Sequence, residues 1–209
     1  MRKIRTAIVG CGDISSVYLE NMIHRFSVLE VVCCCSARGE SARRQAKRFG
    51  IQAVEFEDIL KDDTIELAVN LTPPKVHYQL IRDLLNAGKH VYTEKVVTAD
   101  FDQAMELKDL AEQQGLRLGS APDTFLGAGL QTAAKAVRNG LIGEVTSCHA
   151  SVNRDMGSLY SSLAFTAEPG GGIGFDVGIY YITALLSILG SVKELRDGKS
   201  KAAAVLSLE

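Results

Sequence analysis

The residues with the clearest chemical potential stand near the start of the chain. Gly10-Cys11-Gly12-Asp13-Ile14-Ser15 follows an apolar run and opens an amphipathic one. The spacing is G-x-G-x-x-G with Ser15 in the third glycine slot. Gly10 permits a tight turn, and Gly12 lets the backbone approach a pyrophosphate. The amides at the start of the following helix then face the anion. Cys11, Asp13 and Ile14 complete the loop and are expected to contact the ligand with it. Ser15 is small enough to keep the helix close to the sheet. Between a strand and a helix, this spacing reads as a dinucleotide loop. A glycine turn without a ligand is the alternative.

An acid for a ribose 2′-hydroxyl is expected about 20 residues further on, at the end of the second strand. That strand ends at Cys35, and Ser36 follows, with Arg38 and Arg43 close behind. Without the acid there is no repulsion against a 2′-phosphate, and an arginine can pair with it in bidentate fashion. The expected cofactor is NADP or NAD, with NADP favoured. Two solvated surface arginines are the alternative. Thr72-Pro73-Pro74 forms a stiff loop that would pass the cofactor. His77, just beyond it, reads either as a contact to the nicotinamide end or as packing. His90 reads as structural, and His24 and His149 as surface or sheet residues. No metal site is expected, since no Cys/His spacing suits one. Of the 5 cysteines, Cys33, Cys34 and Cys35 are adjacent in an apolar run, and Cys11 and Cys148 stand apart. They read as small buried residues in a reducing compartment rather than a disulfide framework.

These residues need a frame. Ile4 to Val9, Leu29 to Cys35, Ile65 to Leu71, His90 to Thr93 and Leu116 to Gly119 read as strands. Ser15 to Phe26, Ser41 to Phe49, Val76 to Ala87 and Asp100 to Gln114 read as helices, with Gly50, Gly88 and Gly115 ending three of them. The alternation predicts an α/β fold: a doubly wound parallel sheet of Rossmann type with helices on both faces. The pattern changes near Ser120. Gly129 to Asn139 reads as a helix, Val145 to Val152 as a half-exposed strand, Phe175 to Leu189 as an apolar helix and Val192 to Leu195 as a strand. Gly157-Ser158 and Glu168 to Gly172 mark loops. The expected division is residues 1–120 and 121–209.

The chain has 209 residues, 46% hydrophobic and 23% charged, with net charge −2. That suits one domain plus part of another. Such a balance leaves no electrostatic footprint for nucleic acid or a membrane surface. No apolar run reaches the roughly 20 residues that span a bilayer. The start lacks a signal-peptide cleavage pattern, so a cytoplasmic location is expected.

Three further segments carry a resemblance. They are Leu71-Thr72-Pro73-Pro74-Lys75-Val76-His77, Ala87 to Lys95 ending in Thr93-Glu94-Lys95, and Gly170 to Tyr180 containing Asp176-Val177-Gly178-Ile179-Tyr180. In this order after the glycine loop, they resemble the glucose–fructose oxidoreductase / inositol dehydrogenase (Gfo/Idh/MocA) family over essentially the whole chain. Pro122 to Gly127 and Asn139 to Glu144 are similar to a sugar-dehydrogenase-like branch. The resemblance implies a Rossmann domain followed by an α+β domain with a substrate cleft and a homo-oligomer contact. It implies hydride transfer to or from a hydroxyl or carbonyl of a sugar, cyclitol or diol. Glu94 and Lys95 match the family's Glu-Lys-Pro motif, making Glu94 a cofactor contact and Lys95 the active-site lysine. Asp176 and Tyr180 match its Asp-x-Gly-x-His motif, with tyrosine in the histidine slot.

Val96 replaces the motif's proline. A Lys–Val bond disfavours cis, so Lys95 is expected to point differently. A neighbouring ammonium favours a phenolate, so Lys95 beside Tyr180 makes an acid/base pair. Asp176, at a helix start, would orient a substrate hydroxyl or Lys95. Tyr180 also reads as a core tyrosine with Tyr181 equally available, and Asp176 as a simple cap. The family's second domain continues beyond Glu209. Residues 121–209 are therefore expected to be its incomplete start, with an unpaired strand edge. A dinucleotide-binding protein without turnover, or a truncated inactive enzyme, is the second reading.

Overall fold

The computed structural model describes residues 2–152, 171–190, 192–198 and 203–208. Short β-branched and apolar runs form the centre of a six-stranded sheet: β1 (Ile4–Val9), β2 (Leu29–Cys35), β4 (Leu67–Asn70) and β5 (His90–Thr93). β3 (Gln52–Ala53) and β6 (Leu118–Ser120) are its edges. The order is β3-β2-β1-β4-β5-β6, and every pairing is parallel. This is the doubly wound Rossmann arrangement that the alternation predicts. The chain reverses its direction of travel across the sheet at β1, which lies between β2 and β4. Loops leaving the carboxyl ends of β1 and β4 therefore part there and leave a crevice.

Helices α1 (Ser15–His24) and α2 (Gly39–Phe49) cover one face. α3 (Phe56–Lys61), α4 (His77–Asn86) and α5 (Phe101–Gln113) cover the other. Strand residues alternate between the layers. Cys34 packs with Ile8, Leu19 and Met22, whereas Cys33 and Cys35 pack with Ile59, Ile81 and Leu84. All three thiols are free and buried. Burial pushes Cys33 and Cys35 up to about 12.

Several elements differ from expectation. β3 and α3 are too short to show a period, although Glu55 and Asp58 form a reciprocal capping box at the start of α3. His77 opens α4, one residue after the expected start at Val76. Val145 to Val152 forms no strand, and most of this stretch is exposed. A strand needs a hydrogen-bonding neighbour, and among the described residues none flanks it. The helix expected from Phe175 opens as a π turn, Gly174–Gly178, before α7 (Ile179–Leu189). Between them and β6 comes α6 (Ala128–Arg138). β7 (Val192–Gly198) pairs antiparallel with β8 (Ala203–Leu208) in a two-stranded sheet, whose outer edges have no partner among the described residues. The loops expected at Gly157-Ser158 and Glu168-Pro169-Gly170 lie outside the described residues. Among the described residues, no helix is long and apolar enough to cross a membrane.

Candidate active site

The chain leaves β1 through Gly10, whose φ is +102°. A Cβ there would stand 2.8 Å from the Leu71 carbonyl carbon and 2.9 Å from the Thr72 nitrogen. Glycine is thus required twice over, by its backbone conformation and by close contact with the β4 loop. Gly12 differs: a Cβ there would meet nothing within 4 Å. It borders open space at the amino end of α1, where no side chain caps the helix. A helix start without a side-chain cap beside an open glycine suits a pyrophosphate, so the residues present fit a dinucleotide. Asp13 and Ile14 are exposed on this loop. The Cys11 side chain turns into the core, 3% exposed, with its thiol 3.4 Å from the Cys35 carbonyl. Cys11 can therefore offer a ligand only its backbone.

Below the loop, Ser15 Oγ donates to the Gly12 carbonyl at 2.5 Å and accepts from Gln45 Nε2 at 3.2 Å. Gln45 also donates to Ser16 Oγ at 2.8 Å. This brace from α2 to the glycine loop has no motif to announce it. At the end of β2, the Ser36 and Ser41 hydroxyls meet at 2.7 Å, and both reach the Arg38 carbonyl, at 2.6 and 2.9 Å. Arg38 and Arg43 are exposed beside them at the start of α2. Hydroxyls, guanidinium groups and a helix start together suit a phosphate better than a bare ribose.

Lys95 follows β5 at the same edge of the sheet. Its Nζ donates to Asp176 Oδ1 at 2.5 Å and to the Asp176 carbonyl at 3.1 Å. The pair is mostly buried, with side chains 15% and 16% exposed. The π turn presents both oxygens of Asp176 to the same ammonium. Nζ also lies 5.6 Å from the centre of the Tyr180 ring, over its face. Lys95, Asp176, Tyr180 and Tyr181 line one cleft of about 580 Å³ with Thr124 and Leu130. The Lys95–Val96 peptide is cis, against the expectation from valine. Lys95 points into the cleft, and Val96 is buried with its carbonyl held by His77 at 2.7 Å. Tyr180 is displaced opposite to expectation. Burial, then the charges of Glu94 and Asp176, push its phenol above the usual tyrosine range. Lys95 is committed to Asp176 and to the ring face, so burial prevails.

Glu94 is held on two sides. Tyr18 OH donates to one carboxylate oxygen at 2.6 Å, and the Lys95 amide donates to the other at 3.2 Å. Burial and Glu94 keep Tyr18 protonated well above the usual range. Tyr18 is a site residue that sequence reasoning missed, since a tyrosine on an amphipathic helix carries no signal. Thr72 is half-buried and Pro73 exposed, so both remain available at the crevice. His77 is not available: it is 0% exposed, and its ring nitrogens lie 2.7 Å from the carbonyls of Val96 and Thr72. The expected nicotinamide contact is therefore replaced by a strut between loops. Of the other histidines, His24 pairs with Glu20 on the surface at 3.8 Å. His90 Nδ1 accepts from the Arg117 amide at 3.0 Å, and His149 is exposed.

Residues 4–121 match a family model described as an oxidoreductase family with an NAD-binding Rossmann fold. Residues 130–200 match the GFO/IDH/MocA C-terminal domain. A dTDP-3,4-didehydro-2,6-dideoxy-alpha-D-glucose 3-reductase of Actinomadura kijaniata is 31% identical over 189 residues, covering 90% of this chain and 57% of that protein. An uncharacterized oxidoreductase of Schizosaccharomyces pombe is 30% identical over 199 residues, covering 91% of this chain and 53% of the relative. Among solved structures, the 3-ketoreductase KijD10 of Actinomadura kijaniata, in complex with NADP and TDP-benzene, matches with TM-score 0.78 at 30% identity. The match covers 93% of this chain and 60% of that one. The chain spans 53% to 58% of the length of its curated relatives.

Proposed function

Since the chain belongs to the GFO/IDH/MocA oxidoreductase family, we propose that it acts in NAD(P)-dependent hydride transfer at a hydroxyl or carbonyl of a sugar, cyclitol or diol. The convergence of Lys95, Asp176 and Tyr180 on one cleft, with Lys95 at the sheet edge that also carries the glycine loop, supports this reading. The division of labour falls near residue 120, with the cofactor-binding residues before it and the substrate-facing residues, Lys95 apart, after it. Gly10, Gly12 and the start of α1 would hold the pyrophosphate. Ser36 and Arg38, with Ser41 and Arg43, would hold a 2′-phosphate, so NADP is favoured over NAD. Thr72, Pro73 and Glu94 border the crevice and would contact the nicotinamide half. A bound nicotinamide supplies or takes the hydride at the substrate carbon.

The protein's own residues handle the oxygen and its proton. Lys95 has three N–H donors. Two are engaged by Asp176, and the third is directed to the reacting substrate oxygen. The Asp176 carboxylate keeps Lys95 charged and fixed, which stabilises negative charge growing on that oxygen. Tyr180 is held neutral, so it serves as proton donor when a carbonyl is reduced. In the reverse direction the phenolate takes the proton back from the substrate hydroxyl, so the same group serves both directions.

The test is to incubate the purified chain with NADP or NAD and a panel of sugars and cyclitols, following reduced-nicotinamide absorbance. Turnover that Lys95→Ala abolishes is expected, with tighter binding of NADP than of NAD. Dinucleotide binding without turnover across the panel would favour a binding protein instead. Turnover surviving in Lys95→Ala would overturn the site assignment.

A further inference from the structure

We infer that His77 is a positioning residue for Lys95, closing a ring of hydrogen bonds through the buried side chains of Asn70, Thr93 and His77 that ties the active-site lysine to the Thr72 loop. The inference rests on the reading of Lys95 as the active-site lysine. The ring starts where β4 and β5 end in register, at Asn70 and Thr93. Asn70 Nδ2 donates to Thr93 Oγ1 at 3.0 Å, and Thr93 Oγ1 donates to the Glu94 carbonyl at 3.1 Å. On its other side, Asn70 Oδ1 accepts from Thr72 Oγ1 at 2.7 Å and from the Thr72 amide at 3.3 Å. The His77 ring then spans from the Thr72 carbonyl to the Val96 carbonyl, at 2.7 Å each.

The carbonyls immediately before and after Lys95, those of Glu94 and Val96, are thus both held, and the ring returns to Thr72. Asn70, His77 and Thr93 are each 0% exposed. Water does not reach them to replace a lost partner, and a buried carbonyl left without a donor is costly. An apolar side chain would fill the start of α4 as well as His77 does, but it could not bridge two loops. Whatever seats against Thr72 is therefore linked mechanically to the backbone that aims Lys95 at Asp176. The inferred consequence is that cofactor seating and lysine position are coupled.

The experiment compares the full chain with His77→Phe and His77→Gln. Lys95 acetylation by acetic anhydride, quantified by peptide mass spectrometry, needs no cofactor. NADP affinity and steady-state kinetics accompany it. His77→Phe is expected to raise Lys95 labelling about tenfold relative to exposed lysines and to lower kcat about 10- to 100-fold, the scale of a misplaced catalytic group. The KM for the sugar should hold. His77→Gln keeps an amide donor and should recover part of both. A folded His77→Phe with unchanged Lys95 labelling and kcat overturns the inference, and so does an equal loss in His77→Gln. If His77→Phe does not fold, Thr93→Val opens the ring on its other side with a side chain of the same shape. It should also raise Lys95 labelling, and unchanged labelling there overturns the inference. A wild-type chain that binds no dinucleotide would defeat the proposed function, while the labelling comparison would still judge the ring.

Discussion

Lys95 and Asp176 form a short, mostly buried ion pair, and in the proposed function the lysine serves the chemistry while the aspartate holds it. Lys95→Ala is expected to lower kcat about 10²- to 10⁴-fold while leaving dinucleotide affinity nearly unchanged, as steady-state rates and a fluorescence titration would show. Tyr180 gives a pH signature. Its phenol is pushed upward by burial and nearby carboxylates, so the neutral donor persists past the ordinary tyrosine pKa of about 10. Carbonyl reduction should therefore stay flat through neutral pH and fall only above that range, with the alkaline limb absent in Tyr180→Phe. A fall near neutral pH that Tyr180→Phe removes would contradict the assignment. At this scale the sequence was legible only through family resemblance. Eighty-one positions separate Lys95 from Asp176, and no local period links them. Tyr18, Asn70 and Gln45 gave no signal, because each acts through a partner far along the chain.

At the element scale, the two glycines of the nucleotide loop should separate folding from binding. Gly10→Ala forces a side chain into a positive φ and against the Leu71 and Thr72 backbone. It is expected to cost about 1–3 kcal/mol of stability as well as cofactor binding, measured by thermal melting and titration. Gly12→Ala meets no protein atom within 4 Å, so the melting temperature should hold while dinucleotide affinity falls. Equal melting losses in both variants would refute the assignment of open space beside Gly12 to the ligand. The long, strongly patterned elements were legible because their periods match their burial. The failures share a cause in tertiary context. α3 is short, Val145 to Val152 finds no strand neighbour among the described residues, and the π turn holds Asp176 against Lys95, which is distant in sequence.

At the scale of the whole molecule, the sheet's two layers set the response to alkali. Cys33 and Cys35 are held protonated up to about 12 by burial, whereas free thiols ionise near 8.5. Above that lower value the unfolded chain binds fewer protons than the folded one, so stability falls as pH rises. Stability should be fully present below about pH 8.5, and the urea midpoint should drop from there up to about pH 12. A Cys33→Val variant should show a flatter decline, and an equal slope would count against thiol burial as the cause. The parallel sheet, its helical layers and the glycine loop were determined by the sequence itself, because each follows from local period and backbone freedom. The arrangement of the cleft was decided only by tertiary structure: Lys95 turned to Asp176, Tyr180 kept neutral, and His77 made a strut rather than a ligand contact. Burial and hydrogen-bond partners fix those outcomes, and both exist only once distant segments meet.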